Sequence, residues 1–388
     1  MADAKKPAPP KDPKPSAVVD AARQVSIVRF SPCGKFLVAA GLGPQVYRWK
    51  IEPVAAAAVP AVDDKNKKPV DPKAAGSSTQ TPSLPALAPL DGHHGWITGL
   101  DMSKDGERLF TVDSYGALIC RVYSAEKSAP LWSVAEAHAG WARQVAVSPD
   151  GRSVATCGLD GTVRLWSAAD GKSLAKFTDH AADVYSVAFT PDGKSLVSGD
   201  IHGTIIHWDL ASGKPTRKLL AEVLYLEEDD TLQDVGGVRR LVFSADAKTL
   251  AACGGKAKSG GFVEATPVVR FFDWPTGKTI ATREFGDAKA GFVHDAVYQA
   301  DGTFIGTTSG QPGSGQLFLY RAGEEKPFYT YAKLVNVHSL ALHPDRQRIA
   351  VAATSTGSRG NGRGMETDES YKGNHSPISI WELSQFPS

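Results

Sequence analysis

The sequence predicts an all-β chain, a ring of seven four-stranded antiparallel blades closed where its two ends pair in one sheet. Three observations carry that prediction. Between Ala137 and Ser167, three apolar alternating runs (Ala142 to Ser148, Ser153 to Gly158, Val163 to Ser167) are joined by reversals at Ser148-Pro149-Asp150-Gly151 and Leu159-Asp160-Gly161. Period-2 alternation between such turns marks short antiparallel strands, proline fixing φ and glycine supplying a positive φ. The first turn then recurs as Ser31-Pro32-Cys33-Gly34, Ser103-Lys104-Asp105-Gly106 and Thr190-Pro191-Asp192-Gly193, and in degenerate form at Ser244-Ala245-Asp246-Ala247, Gln299-Ala300-Asp301-Gly302 and His343-Pro344-Asp345-Arg346. Finally, the residue ending each third strand recurs in step, at Trp49, Arg121, Trp166, Trp208, Phe272, Tyr320 and Trp381. Where no insertion intervenes the period is roughly 40 to 45 residues, the spacing of propeller blades. One meander cannot bury both faces of its sheet, so copies must stack beside it.

Residues 1–15 are rich in Lys, Pro and Ala with no aromatic residue, a composition that cannot repay ordering entropy and predicts a disordered tail. The propeller takes residues 16–388. Ser16 to Arg23 contributes the outer strand of blade seven, because the chain ends at Trp381-Glu382-Leu383 with only three strands in that blade. Pairing the two ends removes open sheet edges. Blade one takes Val25 to Phe30, Phe36 to Ala40 and Gln45 to Lys50, then an Ala/Pro/Lys-rich insertion over 53–85, expected to be flexible, before an outer strand near Leu87 to Leu90. Blade two runs from Trp96 to Val134, blade three from Ala142 to Phe177, and blade four from Val184 to Leu220. Blade five follows an acidic loop, Ala221 to Gly237, and ends at Phe285; blade six runs from Val293 to Tyr331 and blade seven from Val337. No stretch is long and periodic enough for a helix of several turns.

These repeats resemble the WD40-repeat family. The residues that carry the likeness are His138 in the loop entering blade three, Ser148-Pro149-Asp150-Gly151, Thr156, Asp160-Gly161 and Trp166-Ser167, with the literal Trp-Asp pair at Trp208-Asp209. The resemblance covers residue 16 to the end. It implies a seven-bladed WD40-type propeller in which His138, Thr156, Asp160 and Trp166 form a structural hydrogen-bonded tetrad. A buried indole N–H needs an acceptor, a hydroxyl relays, and an imidazole passes the bond to a carboxylate. Blade four keeps His180, Ser198 and Trp208 but reads His202 at the Asp position, and blade two keeps His93 and Thr111 but reads Tyr115 and Arg121. Stability is therefore expected to be greatest in blades three and four.

Composition narrows the function classes. With 43 Lys and Arg against 42 Asp and Glu, no global field favours nucleic acid or an anionic membrane. Cys33, Cys120, Cys157 and Cys253 are widely spaced without a C-x-x-C pair, which argues against a disulfide framework or a zinc site. No run of about 18 apolar residues is available to span a membrane. The N-terminal segment has charge and proline where a signal peptide needs an apolar core, so a cytoplasmic location is expected. Phosphate, dinucleotide, nucleophile-elbow and zinc-protease motifs do not occur: Thr276-Gly277-Lys278-Thr279 lacks the upstream glycine of a P-loop, which is Phe272 here. No cofactor or catalytic residue is expected.

The resemblance also implies that loops joining blades, and those joining second to third strands, share one face. The segments 221–237, 255–267, 309–315 and 355–377 then crowd that face, where binding residues of a rigid scaffold concentrate. Aligned inner strands place Thr98, Arg143, Tyr185, Arg239, His294 and His338 at equivalent inward positions, with Trp96 and Trp141 two residues earlier. With Tyr115 and His202 these form the candidate partner-binding set, since aromatic and arginine anchors make interface hot spots. The expected function is a non-enzymatic WD-repeat scaffold for a protein or peptide partner. Two alternatives compete with it. One is an enzyme or small-ligand site at the channel mouth, using His294, His338 and Asp295; the other is a nucleic-acid role for the basic tail and the segment Arg359-Gly360-Asn361-Gly362-Arg363-Gly364.

Overall fold

The computed structural model describes residues 12–51, 82–125, 129–228, 233–258, 264–311, 313–354, 363–365, 371–373 and 375–387. Seven four-stranded antiparallel sheets follow one another as a seven-bladed propeller, and six of them run in simple chain order from the innermost strand outward. The seventh is composite. Ser339–Leu342, Arg348–Ala352 and Ser376–Glu382 are completed by Ala17–Ala21, with Ala17 opposite Ile380 and Ala21 opposite Ser376. Among the described residues the only helical elements are short 3-10 turns at Glu222–Leu224 and Leu383–Gln385. None is long and apolar enough to cross a membrane.

The core lies between blades. Val28, Leu37 and Trp49 of blade one pack with Ala350, Ile378 and Ile380 of blade seven, while Phe110 and Cys120 of blade two pack with Val145, Val154 and Trp166 of blade three. A chain of local interfaces of this kind lets a long chain bury its apolar surface without one large core.

The inner strands carry the feature that shapes the centre. In blades one, two, three, four and six the register slips between the first and third inner-strand residues, at Val25/Ile27, Ile97/Gly99, Ala142/Gln144, Val184/Ser186 and Val293/Asp295. A bulge sets two residues against one and re-aims the extra side chain. That extra side chain is Ser26, Thr98, Arg143, Tyr185 or His294. The third residue instead reaches the next blade: Gln144 Oε1 accepts the Val187 N–H at 2.9 Å, Ser186 Oγ that of Leu241 at 3.0 Å, and Ser339 Oγ that of Val28 at 3.1 Å. These buried bonds stitch neighbouring inner strands together.

Several segments differ from the sequence expectation. The loop expected over 255–267 is largely a hairpin, Thr249–Ala257 paired with Ala265–Asp273. It continues because it packs on blade six: the Gly291 N–H donates to the Ala265 carbonyl at 2.8 Å, and a Cβ at Gly255 would meet the Phe292 ring at 2.7 Å. Inside the acidic loop, Tyr225–Glu228 and Gln233–Gly236 form a second hairpin, and within 355–377 Arg363–Met365 pairs with Tyr371–Gly373. From residue 12 the chain already lies along blade seven, with Pro13 buried and the Lys14 N–H donating to Gln385 Oε1 at 2.8 Å. The rest of the expected tail, residues 1–11, and residues 53–81 of the insertion lie outside the described residues.

Candidate functional site: the channel mouth

Two kinds of polar constellation were legible in the repeats, and they sit in different places. The first is buried within blades. His138 Nδ1 lies 2.9 Å from Asp160 Oδ1, its Nε2 lies 2.8 Å from Thr156 Oγ1, and Trp166 Nε1–H donates to Thr156 Oγ1 at 2.9 Å. The indole can only donate, so the threonine hydroxyl donates to Nε2 and the Nδ1 proton faces the carboxylate. Burial alone would raise the Asp160 carboxyl, but the His138 and Thr162 hydrogen bonds hold it well below the usual carboxylate range.

Blades two and four correct the sequence reading. His180 Nδ1 meets Asp200 Oδ2 at 2.8 Å, not His202, and His93 Nδ1 meets Asp113 Oδ2 at 2.8 Å, not Tyr115. The carboxylate stands two residues after the relay hydroxyl (Thr111 or Ser198) in these blades, and four after it in blade three. Gly158 explains the alternation: it occupies the two-after position in blade three, where a Cβ would sit 2.8 Å from His138 Nδ1. Either position can supply the anion, but not both. The network of blade two is thus His93, Asp113 and Thr111, with Arg121 in place of the indole, and blade two joins three and four as a networked blade.

The second constellation is the channel mouth. Thr98, Arg143, Tyr185, Arg239, His294 and His338, from six consecutive blades, line one cavity of about 200 Å³. Arg143 pairs with Asp183 at 2.5 Å and lies over the Trp141 and Tyr185 rings at 5.0 and 4.6 Å. The His294 and His338 rings meet edge to face at 5.6 Å. Deeper in, Asp295 is held between Arg29 at 3.0 Å and Arg240 at 3.1 Å, and accepts from the Ser339 hydroxyl at 2.8 Å. Burial would raise its carboxyl; the two guanidinium groups keep it low.

The remaining candidates fall outside that cavity. Trp96, Tyr115 and Trp141 line a neighbouring pocket of about 550 Å³ with Arg23 and His94. Trp96 packs edge-on to Trp141 at 5.7 Å yet is 48% exposed, and Tyr115 is 69% exposed, so both present ring surface to solvent. His202 stands apart, 3.2 Å from Asp234 and 4.8 Å from the Tyr225 ring. The loops meet as neighbours on this side: Glu264 Oε1 accepts from Gln311 at 2.9 Å, the Gln311 N–H donates to the Lys289 carbonyl at 3.0 Å, and Asn336 Nδ2–H donates to Thr354 at 3.1 Å. Of the Arg/Gly segment 359–364, only Arg363 and Gly364 are described.

Burial pushes the His294 imidazole down to about 3 and His338 down to about 4. Both are neutral in the fold at pH 7, whereas the unfolded chain protonates them below about pH 6.5. Between about pH 6.5 and 4 the unfolded state therefore binds more protons, so stability falls as pH drops through that window. Replacing both by glutamine (H294Q/H338Q) is expected to remove roughly 2–4 kcal/mol of the stability lost between pH 7 and pH 5, read by urea unfolding at the two pH values. An unchanged pH dependence would contradict the burial of these rings.

Sequence reasoning missed Asp183, Arg29 and Arg240. Asp183 immediately precedes an inner strand and its pairing with Arg143 spans 40 positions, so no local pattern marks it. The other two sit on aligned inner strands, and the inward column could have been extended to include them.

A family model for the WD domain, G-beta repeat, matches residues 129–167 and 171–209. Each match begins on the outer strand of one blade and takes three strands of the next, the same offset by which Ala17–Ala21 completes blade seven. The chain is also similar to the small ribosomal subunit protein RACK1y of Oryza sativa subsp. japonica, 32% identical over 104 residues. That match covers 25% of this chain and 28% of the relative, under a third of its length. With seven closed four-stranded blades, two of which the family model matches, the chain is a seven-bladed β-propeller that carries WD40 repeats.

Proposed function

We propose that the chain is a non-enzymatic scaffold that docks a protein or peptide partner on its loop-rich face, over the channel mouth. The observation that carries this reading is the convergence of six blades on one polar, arginine- and aromatic-lined cavity beside the exposed rings of Trp96 and Tyr115. Such anchors on a rigid frame lose little entropy on binding and fit the profile of hot spots. The geometry gives less support to catalysis. Asp295 is engaged by Arg29, Arg240 and Ser339; among the described residues it pairs with no imidazole, and no group of three or more His, Cys, Asp or Glu could hold a metal ion.

The test is affinity capture with chemical crosslinking, comparing the native chain with W96A/Y115A. Both side chains are exposed, so the fold should survive. Partners recovered with the native chain are expected to drop at least ten-fold with the variant. Equal recovery, with crosslinks mapping elsewhere, would contradict docking on this face.

A further inference from the structure

Charge around the channel is unevenly matched. The guanidinium groups of Arg29, Arg143, Arg239 and Arg240 all border the cavity. Asp295 answers two of them and Asp183 a third. Arg239 has no such partner: among the described residues it forms no ion pair, and its Nε is buried without a hydrogen-bond acceptor.

Aromatic rings hold it in place. Its guanidinium lies 4.3 Å from the Tyr185 ring and 5.2 Å from that of Phe292. Cation–π contacts orient a cation without neutralising it. Burial disfavours the charged form of Arg239 and the nearby Arg143 adds like-charge repulsion, while Tyr185 and the more distant Asp183 compensate only in part. A largely desolvated, oriented guanidinium without a carboxylate of its own is costly to the fold alone. A ligand that brings a negative charge would relieve that cost.

The surroundings suit an oxyanion. His338 offers a ring nitrogen at the same cavity and Tyr185 a hydroxyl, while the Thr98 hydroxyl already donates to the Ala142 carbonyl. Arginine beside such donors is the usual recognition set for carboxylate and phosphate groups. At about 200 Å³ the cavity accommodates a side-chain head group, well below the size of a pocket for a whole organic ligand.

On the reading that this face docks a polypeptide, we propose that the channel mouth receives one oxyanion of the partner, the chemistry shared by phosphorylated and acidic side chains, with Arg239 as its principal anchor. Arg143, held by Asp183, is a secondary contact. Releasing Arg143 should therefore strengthen binding.

Side-chain NMR of the arginine Nε–Hε groups in the full chain tests this, with phenyl phosphate, phenylacetate and inorganic phosphate as probes. Phenyl phosphate or phenylacetate is expected to shift the Arg239 resonance saturably, with Kd at least ten-fold weaker in R239Q and several-fold tighter in D183N. Tightening in D183N is a gain that misfolding cannot mimic. Preference for phenyl phosphate assigns a phosphorylated residue, and preference for phenylacetate an acidic one. Inorganic phosphate binding as tightly as either aryl probe would overturn the polypeptide assignment. No saturable shift with any probe, or equal constants in R239Q, would overturn the site itself. Partner capture that falls with W96A/Y115A but survives R239Q and added phosphate would also sink the oxyanion proposal while leaving docking intact; oxyanion binding with capture indifferent to W96A/Y115A would do the reverse.

Discussion

Removing residues 1–21 is expected to cost the chain its cooperative fold. The strand Ala17–Ala21 buries Ala17, Val19 and Ala21 at 7, 3 and 0% exposure in the cluster that joins blade seven to blade one. Its loss strips a full ladder of backbone hydrogen bonds from Ser376–Glu382. Burial of one valine side chain is worth about 1.5–3 kcal/mol, and each ladder bond roughly 1 kcal/mol net, so the deletion should remove at least about 4 kcal/mol. The bared strand is then an open edge inviting pairing between chains. Urea unfolding and light scattering would read both effects. The milder V19D places a charge at a buried position of the same strand and should be destabilising for its own reason. A deleted chain with the native chain's light scattering and an unchanged midpoint would contradict closure by the chain ends.

Asp295→Asn should be the most damaging single substitution in the channel. The side chain is 5% exposed and stands between two guanidinium groups. Asparagine keeps its shape but takes from Arg29 and Arg240 the carboxylate that pairs with both. Removing one partner of a buried ion pair costs about 3–5 kcal/mol, because the remaining charge is stranded. The double variant D295N/R240M should recover part of the loss, since it also removes one stranded cation. Denaturant midpoints of the native chain, D295N and the double variant form the measurement; a loss under about 1 kcal/mol for D295N would mean that solvent in the channel screens the cluster.

Much of the architecture was written in short-range signals. Turn motifs such as Ser148-Pro149-Asp150-Gly151 and third-strand residues such as Trp166 are local, repeated and chemically constrained, so they fix blade number and order. The missing fourth strand of blade seven then implied the pairing observed between Ala17–Ala21 and Ser376–Glu382. Aligning inner strands also brought Arg143, Tyr185, Arg239 and His294 to a common position, since equivalent positions of stacked blades share a radius.

What escaped notice depends on geometry that repeats do not encode. Asp113 and Asp200 replace Tyr115 and His202 because a turn returns the chain past the histidine, so two positions can reach one ring nitrogen. The pairing of Arg29 with Asp295 spans 266 positions and exists only once the ring is closed. The long hairpin of blade five was hidden by Gly254 and Gly255, which read as loop residues. In the structure they permit close approach: a Cβ on Gly254 would sit 2.5 Å from the Gly237 carbonyl oxygen, and one on Gly255 would strike Phe292.

Peptide-resolved hydrogen exchange of the intact chain across residues 17–21 tests ring closure most directly. Their amides should exchange as slowly as those of Ser376–Glu382, and both segments should lose protection together in mild denaturant. Fast exchange at 17–21 beside a protected 376–382 would mean that the ends are not joined and that the channel mouth is not the fixed cavity described.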